Sequence, residues 1–330
     1  LFRSRVALDT VSELAPDFVR LAERARQLGS LADRFGEPAA PGQVRWIDVM
    51  AQQARLVESP LDIRVALREQ RAAAPKAWIF TSATLGDDER LRWFTEPAGL
   101  DDAQVLRVGS PFDYANHARL YVPASFPKPA DAAHPRAVAA LAARCAEALG
   151  GRTFVLTTTL RALTAIGDTL AETLAASSPP IQVLVQGRST RRQLMQQFLA
   201  EPRSVLVGSQ SFWEGVDVPG DALQCVLIDK LPFPPPNDPL VEARVARLES
   251  EGRSPFNDYF VAEAAVSLKQ GAGRLIRGER AGGLLGVCDP RLATMPSGRG
   301  LRAALPPMKR LERESEALDW LASLAAGRGG

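Results

Sequence analysis

The sequence is poor in the residues that most often carry chemistry. Among 330 residues there are two histidines, three cysteines and five lysines. No apolar run approaches the roughly 20 residues of a membrane span, and no signal peptide opens the chain, so a soluble cytoplasmic protein with no membrane partner is expected. His117 and His134 are too few for a metal cluster, and His134 stands before Pro135 as a helix lead-in. The H-E-x-x-H and G-x-S-x-G patterns are absent. Cys145, Cys225 and Cys288 form no C-x-x-C pair and each lies in an apolar run. Buried, reduced thiols are therefore expected, with neither a disulfide framework nor a metal site. No G-K-[ST] occurs, which removes a P-loop phosphate cradle of the chain's own. The G-A-G at 271–273 has Ile276 where a third glycine belongs, and it follows a helical pattern. A dinucleotide fingerprint fails on both counts. No Asp-Glu pair ends an apolar strand to hold Mg²⁺. Charge gives no lead either, since the net value is +2.

What is present is rhythm. Apolar content is 46% and charged content 24%, as in a globular protein, and the length suits two domains. Val11, Leu14, Phe18, Leu21, Ala25 and Leu28 fall near helical spacing, with Pro16 suited to a first turn. Residues 44–47 and 54–57 read as short strands, 62–71 as a helix, 77–80 as a strand, 88–94 as a helix and 105–108 as a strand. Beyond 110, helices are predicted over 136–149, 161–174, 191–199, 239–248, 256–269 and 311–324. Strands are predicted over 153–156, 181–185, 204–207, 223–228 and 284–288. Short buried strands alternating with amphipathic helices imply an α/β fold with a parallel, doubly wound sheet.

Ligands of such sheets gather at the carboxyl ends of the strands. The polar loops fall there: 81–84, 157–159, Gln186 with Gly187, and 208–215. One such loop is an ordinary turn, whereas four make a surface suited to a phosphate backbone. The string Q-G-A-G-R-L-I-R at 270–277 follows a helical segment. Its Arg274 and Arg277 lie about one helical turn apart, so both guanidiniums can face one way. Planar, always-charged forks suit phosphate oxygens. Taken alone, the octet reads equally well as a helix end with glycine caps and a basic last turn.

Seven strings occur in a fixed order: T-S-A-T-L at 81–85, S-P-F at 110–112, Q-G at 186–187, S-F-W-E-G-V-D-V-P-G at 211–220, L-P-F-P at 231–234, Q-G-A-G-R-L-I-R at 270–277 and D-P-R at 289–291. In this the chain resembles, over about 44–295, the C-terminal half of DinG/XPD-like superfamily 2 DNA helicases, in the bacterial DinG and YoaA branch. The 212–220 and 270–277 strings are the specific ones; S-A-T-L alone is weak.

The resemblance implies two RecA-like motor domains with ATP and Mg²⁺ between them. Residues 1–43 would be the helical end of an arch-like insertion, 44–108 the last part of the first motor domain, and 109–330 the second. The chain opens on Leu1, as expected of a piece of a longer protein. The Walker loop, the acidic box and any iron–sulfur cluster would then lie in the absent N-terminal half, and the fragment alone would be inactive. Arg274 and Arg277 resemble arginine fingers, and Gln270 resembles the glutamine that reports nucleotide occupancy. Glu214, Gly215, Asp217 and Gly273 match segments lining the nucleotide, and Asp217 would partner the fingers. Ser82 and Thr84 match the motif that couples ATP state to domain closure. Thr157, Thr158, Gln186 and Ser209 would contact single-stranded DNA or simply cap their loops, and Trp213 would stack on a base or anchor a domain interface. The implied activity is ATP-dependent 5′–3′ DNA unwinding in repair or replication. The alternative is a non-catalytic module that binds nucleic acid or a protein partner.

Overall fold

The computed structural model describes residues 2–11, 15–74, 76–82, 84–86, 88–209, 212, 218, 220–276 and 281–327. Two units make up the chain. One comprises Leu1–Ala77, Glu96–Asp101 and Pro235–Pro255; the other comprises Trp78–Thr95, Asp102–Pro234 and Phe256–Gly330.

In the first unit, the helical pattern expected to run through 11–28 belongs to two helices, Phe2–Val11 and Pro16–Phe35. Pro16 begins the second because its fixed φ and missing N–H suit a first turn. β1 (Gln43–Val49) and β2 (Ala54–Pro60) pair antiparallel, with Arg45 opposite Glu58 and ion-paired to it. The helix Pro239–Ser250 belongs to this unit, and its Arg247 Nη1 donates to Asp62 Oδ2 at 2.7 Å.

The second unit is built on β3 (Ala118–Tyr121), β4 (Thr153–Thr157), β5 (Gln182–Val185), β6 (Ser204–Ser209), β7 (Cys225–Ile228), β8 (Gly283–Val287) and β9 (Lys309–Leu311). The order across the sheet is β5-β6-β4-β7-β8-β3-β9, every pairing parallel. Because strand side chains alternate, the sheet feeds two cores. Phe154, Leu156, Val226, Ile228, Leu285 and Val287 enter one. Val155, Val205, Val207, Leu227 and Leu284 enter the other. Helices Arg191–Ala200 and Val261–Ala272 cover the first face through Leu194, Phe198, Ala264 and Leu268. Helices His134–Leu149, Leu160–Ala175 and Glu314–Ala326 cover the second through Leu141, Ile166, Leu170 and Leu321. The sheet is therefore doubly wound, as the alternation of elements predicts. Cys145, Cys225 and Cys288 are all buried free thiols, brought into one of these cores from distant parts of the sequence.

Three local expectations differ from the structure. Residues 77–80 and 105–108 form no strand; Ile79, Leu106 and Val108 are more than four-fifths exposed. An apolar run becomes a strand only when another strand completes its hydrogen bonds. The helix expected over 88–94 begins at Arg92, because Asp88 accepts the N–H groups of Arg90 and Arg92 at 3.0 and 2.9 Å and holds a turn before it. β3 and β9, four and three residues long, were too short to stand out in the pattern.

Candidate functional site

The helix that carries Gln270 begins as one wide π-helical turn, Phe256–Phe260, and continues as Val261–Ala272. Ala264, Ser267, Leu268, Gly271 and Ala272 are buried, which fixes the helix against the sheet. Its end is not a left-handed glycine cap. Gly273 has φ −65° and ψ −10°, and Arg274 N donates to Gly271 O at 3.2 Å, so the chain tightens into a further turn. Arg274 follows, half-buried, between the fully buried Ala272 and Leu275. Gln270 Nε2 donates to Thr84 Oγ1 at 3.4 Å. Thr84 is itself held by Ser82, whose Oγ accepts from Thr84 N at 3.1 Å and lies 3.2 Å from Thr84 Oγ1. Two strings far apart in the sequence thus meet in one unit. Arg277, Trp213, Glu214, Gly215 and Asp217 lie outside the described residues.

The remaining predicted positions line the carboxyl edge of the sheet. Gln186, after β5, accepts from Ser209 N and Ser209 Oγ at 2.6 and 3.0 Å, tying two loops into one rim. Gly208 permits this: a Cβ there would lie 3.0 Å from Phe212 Cβ and 3.5 Å from Gln186 Oε1. Thr157 departs from expectation. Its side chain is fully buried, with Oγ1 3.4 Å from the carbonyls of Gly208 and Thr159, so it joins β4 to β6 and presents nothing to a ligand. Thr158 is half-buried. Thr159 caps the next helix, its Oγ1 accepting from Ala162 N.

Two buried acids received no role in the sequence reading, which looked for an acidic pair; Asp289 was counted there only within the D-P-R string. Asp229 directly follows β7 and is 1% exposed. Its Oδ1 accepts from Thr158 N at 3.1 Å and Lys230 N at 2.7 Å. Burial raises its pKa to about 7, against the opposing pull of the Lys230 charge and those N–H donors. Asp289 follows β8 and is fully buried. Its Oδ2 accepts from Leu231 N at 2.9 Å, and Arg291 grips it from two sides, Nη2 to Oδ2 at 2.7 Å and Nε to Oδ1 at 3.0 Å. His134 Nε2 donates to Cys288 O at 3.0 Å, and burial holds its pKa below the usual histidine value. An acidic residue set immediately after an apolar strand is the signal that would have found Asp229 and Asp289.

A seven-stranded parallel sheet with helices on both faces and its polar loops on the carboxyl edge is an open α/β fold of the kind RecA-like motor domains share. Residues 142–308 match the Helicase C-terminal domain family, and the chain belongs to it. The chain is 36% identical over 331 residues to the ATP-dependent DNA helicase YoaA of Escherichia coli strain K12, covering 97% of this chain and 51% of that protein. It is 38% identical over 259 residues to the ATP-dependent helicase DinG of Mycobacterium tuberculosis, covering 77% of this chain and 38% of that protein. A solved XPD helicase shares the fold with a TM-score of 0.58 at 15% identity, over 92% of this chain and 56% of the other. The chain is thus a DinG/XPD-like C-terminal helicase region, and it spans about half or less of the length of the curated relatives it matches. Among the described residues, no helix is long and apolar enough to cross a membrane.

Proposed function

We propose that the chain is the C-terminal portion of a cytoplasmic, ATP-dependent DNA helicase that tracks 5′ to 3′ on single-stranded DNA in repair or replication. The observation that carries this reading is the Gln270–Thr84 hydrogen bond, which joins the two strings such a motor needs to couple. In this reading residues 1–43 end an arch-like insertion, 44–108 finish a first motor domain and 109–330 form the second. The N-terminal motor domain is the partner, and it holds ATP and Mg²⁺ together with any iron–sulfur cluster.

The residues at the end of the helix suit phosphate oxygens: a carboxamide at Gln270, a hydroxyl at Thr84 and a guanidinium at Arg274 one turn further on. ATP supplies the phosphoanhydride whose cleavage drives movement. Arg274, with Arg277, presents positive charge to the γ-phosphate, and Gln270 relays its presence to Thr84 and Ser82. Glu214, Gly215, Asp217 and Gly273 complete the nucleotide side. Thr158, Gln186, Ser209 and Trp213 meet the DNA. Thr157 serves from beneath as a structural tie.

The test is Arg274→Ala in a protein of the relatives' full length. DNA-stimulated ATP hydrolysis should fall by about 10³- to 10⁵-fold while single-stranded DNA binding survives. Wild-type turnover in that variant would reject the finger role. The 330-residue chain alone is expected to hydrolyse no ATP.

A further inference from the structure

The aromatic residues beside the carboxyl edge form an ordered series that none of the nucleotide or DNA assignments uses. Asp289, fully buried, fixes the Arg291 guanidinium through the paired contacts described above. That guanidinium lies over the Phe233 ring, 5.5 Å from its centroid. The Phe233 ring lies 5.8 Å from Phe256, tilted by 43°. Phe256 ends the series at the surface, 41% exposed. Each member restrains the next, so an exposed ring is held in place by a chain of contacts that starts at a buried carboxylate. Phe256 also opens the π-helical turn, a rare local geometry that is frequent at functional sites.

Position gives the ring a ligand. Phe233 lies in the loop after β7, and Arg291 opens the short helix Arg291–Thr294 that follows β8. The rim from Gln186 after β5, through Ser209 at the end of β6 and Thr158 after β4, runs into these two segments by the strand order β5-β6-β4-β7-β8. Four strand spacings of ~4.8 Å make this rim about 19 Å long, room for several bases at the ~3.4 Å spacing of a stacked strand. Polar groups that can meet phosphates occupy one end, and a flat face that can receive a base occupies the other. Every base has a π-face, so such a platform would tolerate any sequence.

We propose that Phe256, backed by Phe233 and Arg291, is a stacking platform for a base of single-stranded DNA at the β7–β8 end of the carboxyl edge. This rests on the nucleic-acid reading above and adds a site to it. The helix that starts at Phe256 carries Gln270 in its last turn, about 21 Å away at 1.5 Å per residue. A base seated on the platform therefore touches the same helix that carries the nucleotide-facing residues at its far end.

The experiment measures fluorescence anisotropy of the whole 330-residue chain with a labelled oligothymidine of about 15 nucleotides and with an abasic strand of equal length. Phe256→Ala should weaken oligothymidine binding by about 5- to 100-fold and leave abasic binding unchanged. The slope of log affinity against log salt should match the wild type, because no phosphate contact is removed. Phe256→Leu, which keeps apolar packing against Phe233 but has no π-face, should lose affinity in the same way, and Phe256→Trp should regain it. Melting curves establish that each variant is folded. Wild-type oligothymidine affinity in Phe256→Ala, or an equal loss on the abasic strand, would overturn the platform while leaving salt-dependent DNA binding intact. Absence of any oligothymidine binding by the wild-type chain at low salt would remove the platform and the nucleic-acid reading together.

Discussion

Gln270 Nε2 donates to Thr84 Oγ1 across 186 positions of sequence, at 3.4 Å. Thr84 and Ser82 hold each other, so the end of the Val261–Ala272 helix and the 81–85 string form one hydrogen-bonded unit. Thr84→Val and Gln270→Ala should each destabilise the chain modestly, and the double variant should lose less than the sum. A coupling of about 0.5–1 kcal/mol from urea denaturation is expected. Strict additivity would mean the contact is not made in solution.

Asp229 gives a pH dependence with a definite sign. Its folded pKa, about 7, lies above the unfolded value near 3.8, so the folded protein holds the extra proton between those limits. Stability attached to this group is complete below about pH 4, declines as pH rises, and is lost above pH 7. Asp229→Asn keeps an acceptor for Thr158 N and Lys230 N but cannot ionise. The variant should gain about 1–3 kcal/mol over wild type at pH 8 and show no difference near pH 4, in matched denaturation series. A constant difference across the range would contradict the buried carboxylate as its source.

Asp289 and Arg291 should behave as a pair. Arg291→Ala leaves a fully buried carboxylate with only backbone donors, and a loss of about 2–4 kcal/mol is expected. Arg291→Lys should restore only part of it, because a point charge cannot reproduce a two-sided grip. Thermal unfolding of the three proteins decides the order.

Gly151 is the position where backbone geometry leaves no choice. Its φ is +108°, and a Cβ there would lie 2.3 Å from Pro202 O and 2.7 Å from Arg203 Cα. Gly151→Ala should cost at least about 2 kcal/mol, since neither neighbour is the end of a flexible side chain. A melting temperature equal to wild type would show that the loop before β4 can shift.

Much of this organisation was legible because it is local. Apolar tetrads such as those of β7, and helical spacing such as Leu163, Ile166 and Leu170, depend on residues a few positions apart. The strings at 81–85 and 270–277 are likewise continuous, and their chemistry follows from residue type. Thr157 read either way from its type, and its full burial with a hydrogen bond to Gly208 O on the neighbouring strand is that of a structural tie. Asp229 was missed because a lone carboxylate gains significance only when its surroundings exclude water. Residues 77–80 and 105–108 read as strands because their side chains favour one, but a strand is a relation between two segments.

The class of fold, the polar rim on the carboxyl edge and the family to which the chain belongs were all written in the residue order. Periodicity and short motifs are properties of neighbouring residues, and they survive without a structure. Folding was needed to bring Gln270 to Thr84, to turn Thr157 inward, and to join Asp289, Arg291, Phe233 and Phe256 in one series. These are contacts between residues far apart in sequence. Parallel strand order sets them, because it places the loops after β4, β7 and β8 side by side although dozens of residues separate them along the chain.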